Sequence, residues 1–265
     1  MAQKNITVVI PTYNEEDYIK DCLEAVFAQT ILPDEVIVVD NNSSDKTLEV
    51  VSKFPDVKIM SENRQGQVFA RITGFNAVKT RWIASLDADS IIDKTWIEQM
   101  MQHASIKNQA FSSYIYPNEG PFRRAATLLG NFFAFTVNRL ISGQDLLLGS
   151  NFVISRKVWQ MIKADISLRT DLWEDLEIGL LAAKNGFPTS LVKTQNVQIS
   201  ARAASLGPRK IYRRLLGWPK TYWKYKKIAA ILSVIILHIA FVFVILFKLP
   251  SILHGHAKKK YSGWS

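Results

Sequence analysis

The sequence predicts an α/β fold: a mostly parallel sheet with helices on both faces, followed by a C-terminal transmembrane helix. Three observations predict it. Short apolar runs alternate with helix-spaced stretches through the first ninety residues. A polar cluster follows most of those runs directly. A 20-residue uncharged stretch, Ile228–Phe247, stands near the C-terminus.

Ile6–Ile10 (ITVVI) is short and wholly apolar, the pattern of a buried strand, and Pro11 is expected to end it. From Glu15, Ile19, Cys22, Leu23, Val26 and Phe27 recur at helical spacing. Val36–Val39 is a second buried strand running into Asp40. Asn41–Ser44 is turn-like, and Ser43 or Ser44 is placed to cap a helix beginning near Asp45. Val57–Met60 is a third strand, Gln67–Val78 a helix and Trp82–Leu86 a fourth strand. Strands alternating with helices over short connections predict a parallel sheet. Ligands of such sheets sit beyond the carboxyl ends of the strands. Pro11–Asn14, Asp40–Ser44 and Asp87–Asp89 all fall there, so three polar clusters converge on one edge. After Ala110–Tyr116 the pattern changes. Pro121–Ile141 is rich in Phe and Leu and opens with Arg123 and Arg124; it reads equally as a helix in the membrane plane or as an ordinary buried helix. Asn151–Ile154 is a further strand, and Trp173–Lys184 is a helix stopped by Gly186.

The net charge of +10 is unevenly placed. No Asp or Glu follows Glu177, while 15 Lys and Arg do; the other 18 cations and all 23 acids lie within residues 1–177. A mildly acidic body therefore carries a basic tail, suited to a polyanion. Ile228–Phe247 has the length to span the hydrocarbon core, about 30 Å at ~1.5 Å per residue, and shows no polar stripe. This favours membrane lipids over nucleic acid as the partner. Arg209–Lys227 interleaves eight cations with Trp and Tyr, as the headgroup layer favours. No secretory leader is recognisable at Met1–Asn5, so the body is expected to be cytoplasmic on a single-pass anchor. The one cysteine, Cys22, excludes an intrachain disulfide and reads as a small buried residue.

Two carboxylate pairs carry the candidate chemistry. Asp87 and Asp89, one residue apart after a buried strand, have the oxygen donors for Mg²⁺ or Mn²⁺ shared with a diphosphate, or are solvated turn acids. Glu174 and Asp175 open a helix, where the backbone dipole favours acids. The chemical reading is a general base that takes the proton of an attacking hydroxyl.

Five segments then resemble the family 2 glycosyltransferases of the GT-A type, in order and spacing: VVIPTYNEE (8–16), VIVVDNNSSDKT (36–47), ENRQGQVFARITGFNAVKTRWIASLDADS (62–90), GSNFVISRKVW (149–159) and WEDLEIGLLAAKNGF (173–187). The resemblance reaches to about residue 205. It implies that Pro11, Tyr13 and Glu15 line the nucleotide-base pocket, that Asp40 holds the base and that Arg71 approaches the nucleotide. It further implies that Asp87 meets the ribose or the metal-bound phosphates, that Asp89 holds the metal, and that Asp175 is the base, supported by Glu174. A hexosyl group would pass with inversion from a nucleotide-sugar, uridine being the nucleotide expected by resemblance.

Departures from the family pattern are Asn41 in place of a second Asp, Asn42 in place of Gly, and Ile72 in place of Asn. RRLLGW (213–218) does not match the Gln-x-x-Arg-Trp text of processive members, so one sugar per event is expected. Arg202 and Arg209 are candidates to cover the diphosphate. The expected organisation is a transferase domain at 1–205, a basic interfacial segment at 206–227, the span at 228–247 and a basic tail at 248–265. The expected acceptor is a hydroxyl of a membrane-associated, lipid-linked saccharide or glycolipid, as in cell-envelope polysaccharide assembly. Transfer to a polyprenyl phosphate and a non-catalytic nucleotide-binding module stand as alternatives. A nucleotidyltransferase is disfavoured because PTYNEEDYIK has no glycine for a phosphate loop.

Overall fold

The computed structural model describes residues 5–117, 127–128, 131–200, 207–226 and 228–238. The strands are β1 (Ile6–Thr12), β2 (Glu35–Asp40), β3 (Val57–Ser61), β4 (Trp82–Ser85), β5 (Ser90–Ile92), β6 (Ala110–Pro117), β7 (Phe152–Ser155) and β8 (Ser190–Ile199). Among the described residues they form one sheet in the order β3-β2-β1-β4-β7-β6-β8-β5. The half β3-β2-β1-β4 is parallel throughout. In the other half β7 runs antiparallel to both β4 and β6, and β5 antiparallel to β8, while β6 and β8 are parallel. The expected mostly parallel sheet is thus a mixed one.

Alternate residues along the parallel strands point to opposite faces. Ile6, Val8, Ile10, Val36, Val38, Trp82 and Ala84 pack on one face, against α1 (Ile19–Phe27) and α4 (Trp96–His103). Val9, Ile37, Val39 and Ile83 pack on the other. There they meet α3 (Gln67–Ala77), α6 (Arg156–Ile162) and α7 (Glu174–Lys184). α3 lies close to the sheet at Gly74, where a Cβ would collide with Val9 and stand 2.9 Å from Val39. Cys22 is buried in the first of these cores, as expected.

Pro11 does not end β1. Leu86 N–H donates to Val9 O, so the β4-facing positions of β1 are Val9 and, two residues on, Pro11. β4 has ended at Ser85, and the amide proton that proline lacks has no strand partner to miss. α2 begins at Thr47, not Asp45. Ser43 and Ser44 do not cap it; they bond Asn14, while Asp45 accepts from the Thr47 N–H. α7 begins one residue later than expected, and Gly186, at φ +86°, follows its end.

A π-helical turn, Phe132–Val137, runs into α5 (Asn138–Ser142). The start of the Pro121–Ile141 stretch lies outside the described residues; farther on, Phe135 is buried, while Phe132 and Leu140 are exposed. α8 (Pro208–Leu215) and α9 (Gly217–Tyr225) form the basic segment. α9 shares a third core with α7, in which Leu176 and Leu180 meet Trp218 and Tyr222. Of the expected span only 228–238 is described, and it is helical. Ala229, Ala230 and Leu237 are buried, whereas Ile228, Ile231, Leu232, Val234 and Ile235 are exposed. Among the described residues no helix is long and apolar enough to cross a membrane. Residues 239–247 of the expected span and the tail lie outside the described residues.

Candidate active site

The carboxyl ends of β1, β2 and β4 lie side by side, as parallel pairing requires, and the loop entering β7 joins them because β7 runs the opposite way. Two backbone bends fix the first two loops. Asn14 and Asn42 sit at φ +54° and +65°, in the left-handed region that asparagine tolerates. Asn14 N–H donates to Ser43 Oγ and Asn14 Oδ1 accepts from Ser44 N–H at 2.8 Å. Glu15 N–H donates to Thr47 Oγ1 at 2.7 Å. The β1 and β2 loops are therefore stitched into one wall. Pro11 and Glu15 are buried in it, and Tyr13 is half-buried.

Asp40 ends β2 at 5 % exposure. Its Oδ2 accepts from Ser43 N–H at 3.3 Å, and its Oδ1 is buried with no hydrogen-bond partner. Leaving a buried carboxylate oxygen unsatisfied costs about 1–3 kcal/mol or more. The neighbouring Asn41 is fully buried. Its amide donates to the carbonyls of Glu62 and Arg64, and its Oδ1 accepts from Gly66 N–H at 2.7 Å. An aspartate has no N–H to give those carbonyls. Asn41, where the chain departs from the family pattern, is thus a staple for the loop entering α3.

Arg71 lies at the centre. It projects from α3 and is 1 % exposed. Its Nε donates to Ser85 Oγ at 3.1 Å, and one Nη donates to Asp87 Oδ1 at 3.1 Å and to Gly149 O at 3.3 Å. The other Nη donates to Glu174 Oε1. The guanidinium therefore meets two protein acids, a hydroxyl and a carbonyl. Gln67 Nε2 also donates to Asp87 Oδ1, at 2.8 Å, so both of these bonds fall on a single oxygen of Asp87. Asp89, two residues on, is half-buried.

Asp175 faces the same centre from α7. Its Oδ2 accepts from Gly149 N–H at 2.8 Å and its Oδ1 from Leu176 N–H at 2.7 Å. A Cβ on Gly149 would stand 3.1 Å from an Arg71 Nη and 3.3 Å from Asp175 Oδ2, so glycine lets the β7 loop thread between them. Burial pushes the carboxyls of Glu174 and Asp175 above the ordinary carboxylate range, against the pull of the Arg71 charge. Such carboxylates are stronger proton acceptors than exposed ones, which suits general-base work near neutral pH.

Asp40, Asp87, Asp89, Glu174 and Asp175 thus gather along one edge. Arg202 lies outside the described residues, and Arg209 is exposed on α8. Sequence reasoning assigned no role to Gln67, Ser85 and Gly149. Gly149 opens a segment recognised by resemblance, but a glycine carries no chemistry to mark it.

Comparison with known proteins bears on the family and the fold. The glycosyl transferase family 2 profile matches residues 7–161, more than half of the chain. The glycosyltransferase AglE of Haloferax volcanii is 28 % identical over 213 residues, covering 76 % of this chain and 62 % of that protein. GlyG of Streptococcus pneumoniae is 29 % identical over 147 residues, covering 53 % and 44 %. The chain spans less than two thirds of the length of these relatives. The mannosyltransferase PcManGT from Pyrobaculum calidifontis, solved with GDP-Man and Mn²⁺, superposes with a TM-score of 0.66 at 19 % identity, covering 97 % of this chain and 77 % of that one. Glucosyl-3-phosphoglycerate synthase from Mycobacterium tuberculosis, solved with Mn²⁺, UDP and phosphoglyceric acid, superposes at 0.61 and 14 % identity, covering 83 % and 78 %. The fold is accordingly the mixed α/β, Rossmann-like GT-A type, and by the extent of the profile match the chain belongs to glycosyl transferase family 2.

Proposed function

We propose that the protein transfers one sugar per event, with inversion, from a nucleotide-sugar to a hydroxyl of a membrane-associated saccharide or glycolipid. The observation that carries this reading is the meeting of two sets of acids at one buried guanidinium. Arg71 bonds Asp87 on the donor side and Glu174, next to Asp175, on the other. The unpartnered Asp40 Oδ1 offers an acceptor to a ring N–H of the base, which both uracil and guanine possess. UDP remains the expected nucleotide, and GDP is the second to test because PcManGT was solved with GDP-Man.

The donor set fits a hard divalent cation. Asp87 and Asp89 supply carboxylate oxygens, and among the described residues no group of three or more His, Cys, Asp or Glu is placed to hold an ion alone. Mg²⁺ or Mn²⁺ would therefore be bound together with the donor's phosphates, as these ions commonly are. When bound, it would supply charge neutralisation for the departing diphosphate. The chain's own residues do the rest. The acceptor oxygen attacks the anomeric carbon opposite the diphosphate, the bond to the diphosphate breaks, and Asp175 receives the hydroxyl proton. A hydroxyl needs that base, whereas a polyprenyl phosphate is already ionised; the raised affinity of Asp175 for a proton favours the hydroxyl.

Attachment to the membrane through 228–247, with the catalytic body cytoplasmic, belongs to the same reading. It is supported by the exposed apolar side chains of 228–238 beside the cations of α8 and α9. The test is calorimetric titration with UDP, GDP and CDP, with and without Mn²⁺, repeated on Asp89→Ala. Metal-dependent binding of one nucleotide, lost in the variant, is expected. Folded protein that binds none of them would sink the transferase reading.

A further inference from the structure

Trp173 immediately precedes the two acids of α7, and its position is set from outside the sheet domain. Its backbone N–H donates to Thr221 Oγ1 at 2.9 Å, and its indole Nε1 donates to Arg214 O at 2.9 Å. Thr221 is fully buried on α9, and its hydroxyl proton is committed to Gly217 O at 2.8 Å, which leaves its oxygen to accept from Trp173. The indole stacks on Trp218 with ring centres 6.5 Å apart and planes at 26°. It also lies against Gly217, where a Cβ would collide with Cδ1 and stand 2.7 Å from Nε1. Both N–H groups of Trp173 and one face of its ring are thus held by the basic segment.

Trp173 is the N-cap of α7, its side chain makes no cap bond, and its carbonyl accepts from Glu177 N–H at 3.0 Å. Where Trp173 stands therefore sets where the helix begins, and Glu174 and Asp175 are its first two residues. One turn later Glu177, also fully buried, accepts from Lys224 Nζ at 2.9 Å and from Tyr225 Oη. α9 accordingly grips α7 twice, at the residue before the acids and at the residue two beyond them. Of the other polar contacts, Lys220 Nζ donates to Asp171 Oδ2 at 3.0 Å and Lys224 Nζ also donates to Ser167 Oγ, both in the loop before Trp173, while Tyr222 Oη donates to Asn138 on α5. Lys226, just past the end of α9, donates to Ser142 O on α5 and touches neither Trp173 nor the acids.

We propose that Gly217 and Thr221 are positioning residues of the transfer reaction, placing the Asp175 carboxylate through Trp173, so that the basic segment completes the catalytic geometry. This inference rests on the transfer reading above. A misplacement of about 1 Å in a reacting group costs roughly 10²-fold in rate. Donor binding, built from β1, β2 and β4, is not touched by the clasp.

The experiment compares Thr221→Val, Gly217→Ala, Thr221→Ser and Lys226→Ala in the full chain. Gly217→Ala acts by bulk and removes no hydrogen bond, so it stands in if Thr221→Val does not fold. The first readout is amide hydrogen exchange across 173–177, which needs no substrate. The second is nucleoside diphosphate release from UDP-glucose, UDP-N-acetylglucosamine and GDP-mannose with Mn²⁺. Thr221→Val and Gly217→Ala should speed exchange at Glu174–Leu176 and lower kcat about 10–100-fold at unchanged donor KM. Thr221→Ser should restore both, and Lys226→Ala should match the parent. Unchanged exchange at Glu174–Leu176, or an equal kcat loss in Lys226→Ala, would overturn the proposal. If the parent protein releases nucleotide from none of the donors, the transfer reading fails by itself, and the exchange data still decide whether the clasp holds the acids.

Discussion

Replacing Arg71 by methionine tests the central claim about the site, that one guanidinium holds its acids in a buried space. Methionine keeps the apolar stem and removes every donor. Asp87 and Glu174 then lose a charged partner, Ser85 Oγ and Gly149 O lose a donor, and Asp175 loses the nearest positive charge. Removing one member of a buried ion pair costs about 3–5 kcal/mol, because the remaining charge is left unpaired. For a chain of this size a loss of that order lowers Tm by about 6–20 °C. The sign of the pH dependence follows. Glu174 and Asp175 already hold their protons more tightly than ordinary carboxyls, and without Arg71 they hold them more tightly still. Protonation relieves the unpaired charge, so the loss should be largest at pH 8 and shrink toward pH 5. Urea unfolding at several pH values, followed by tryptophan fluorescence, measures this directly. A loss below about 1 kcal/mol, or one equal at both pH values, would refute the reasoning, since a truly buried pair cannot be given up so cheaply.

Three further outcomes are expected. Asp175→Asn should lower kcat by about 10²–10⁴-fold with little change in nucleotide affinity. The raised proton affinity of the folded Asp175 means that its ionisation opposes folding above the ordinary carboxylate range; Tm of the variant relative to the parent should therefore rise with pH, as scanning calorimetry at pH 5 and pH 8 would reveal. Asn41→Asp, the residue frequent in the family, should destabilise by about 1–3 kcal/mol, because two hydrogen bonds to the carbonyls of Glu62 and Arg64 are lost; an unchanged urea midpoint would contradict the staple described here. Binding of the full chain to vesicles containing phosphatidylserine should weaken as salt rises and weaken further in Arg209→Ala/Lys210→Ala/Arg213→Ala, measured by flotation; salt-independent binding would leave the cations of α8 without a role.

The parallel half of the sheet was legible because each strand is an uninterrupted apolar run bounded by turn residues. Nothing comparable announces β5, with three residues, or β8, with SLVKTQNVQI. β8 pairs with β6 through register shifts at Ser113/Tyr114 and Tyr114/Ile115, and an irregular register breaks the two-residue alternation by which strands are recognised. The reversed direction of β7 was illegible for a different reason. A strand's sequence reports that it is buried on both faces, as Phe152–Ser155 is, but not which way it runs. That reversal has a consequence for the site, since it brings the loop before β7, with Gly149, to the same edge as Asp87.

The acids of the site were legible because carboxylates at strand ends and helix starts are few and conspicuous, whereas the groups that aim them were not. Arg71 was expected to approach the nucleotide, as a cation in a phosphate site should. In the structure it lies among Asp87, Glu174 and the Gly149 carbonyl, protein partners that its charge alone does not announce. An exposed arginine neutralises a ligand, while one at 1 % exposure neutralises the protein's own acids and lets several of them share a small volume. Gly149, Gly217 and Thr221 are quieter still, acting by an absent side chain or by one hydroxyl oxygen. Gly149 lies directly between Arg71 and Asp175, whereas the contacts of Gly217 and Thr221 with Trp173 become visible only when helices about forty residues apart in sequence are seen to share a core. The basic segment, expected from its cations and aromatics to face a membrane, has an inner face packed on α7. Its exposed residues carry the cations, and its buried Thr221 bonds the residue that precedes the acids of α7, so one short helix pair presents charge outward and holds a helix start inward.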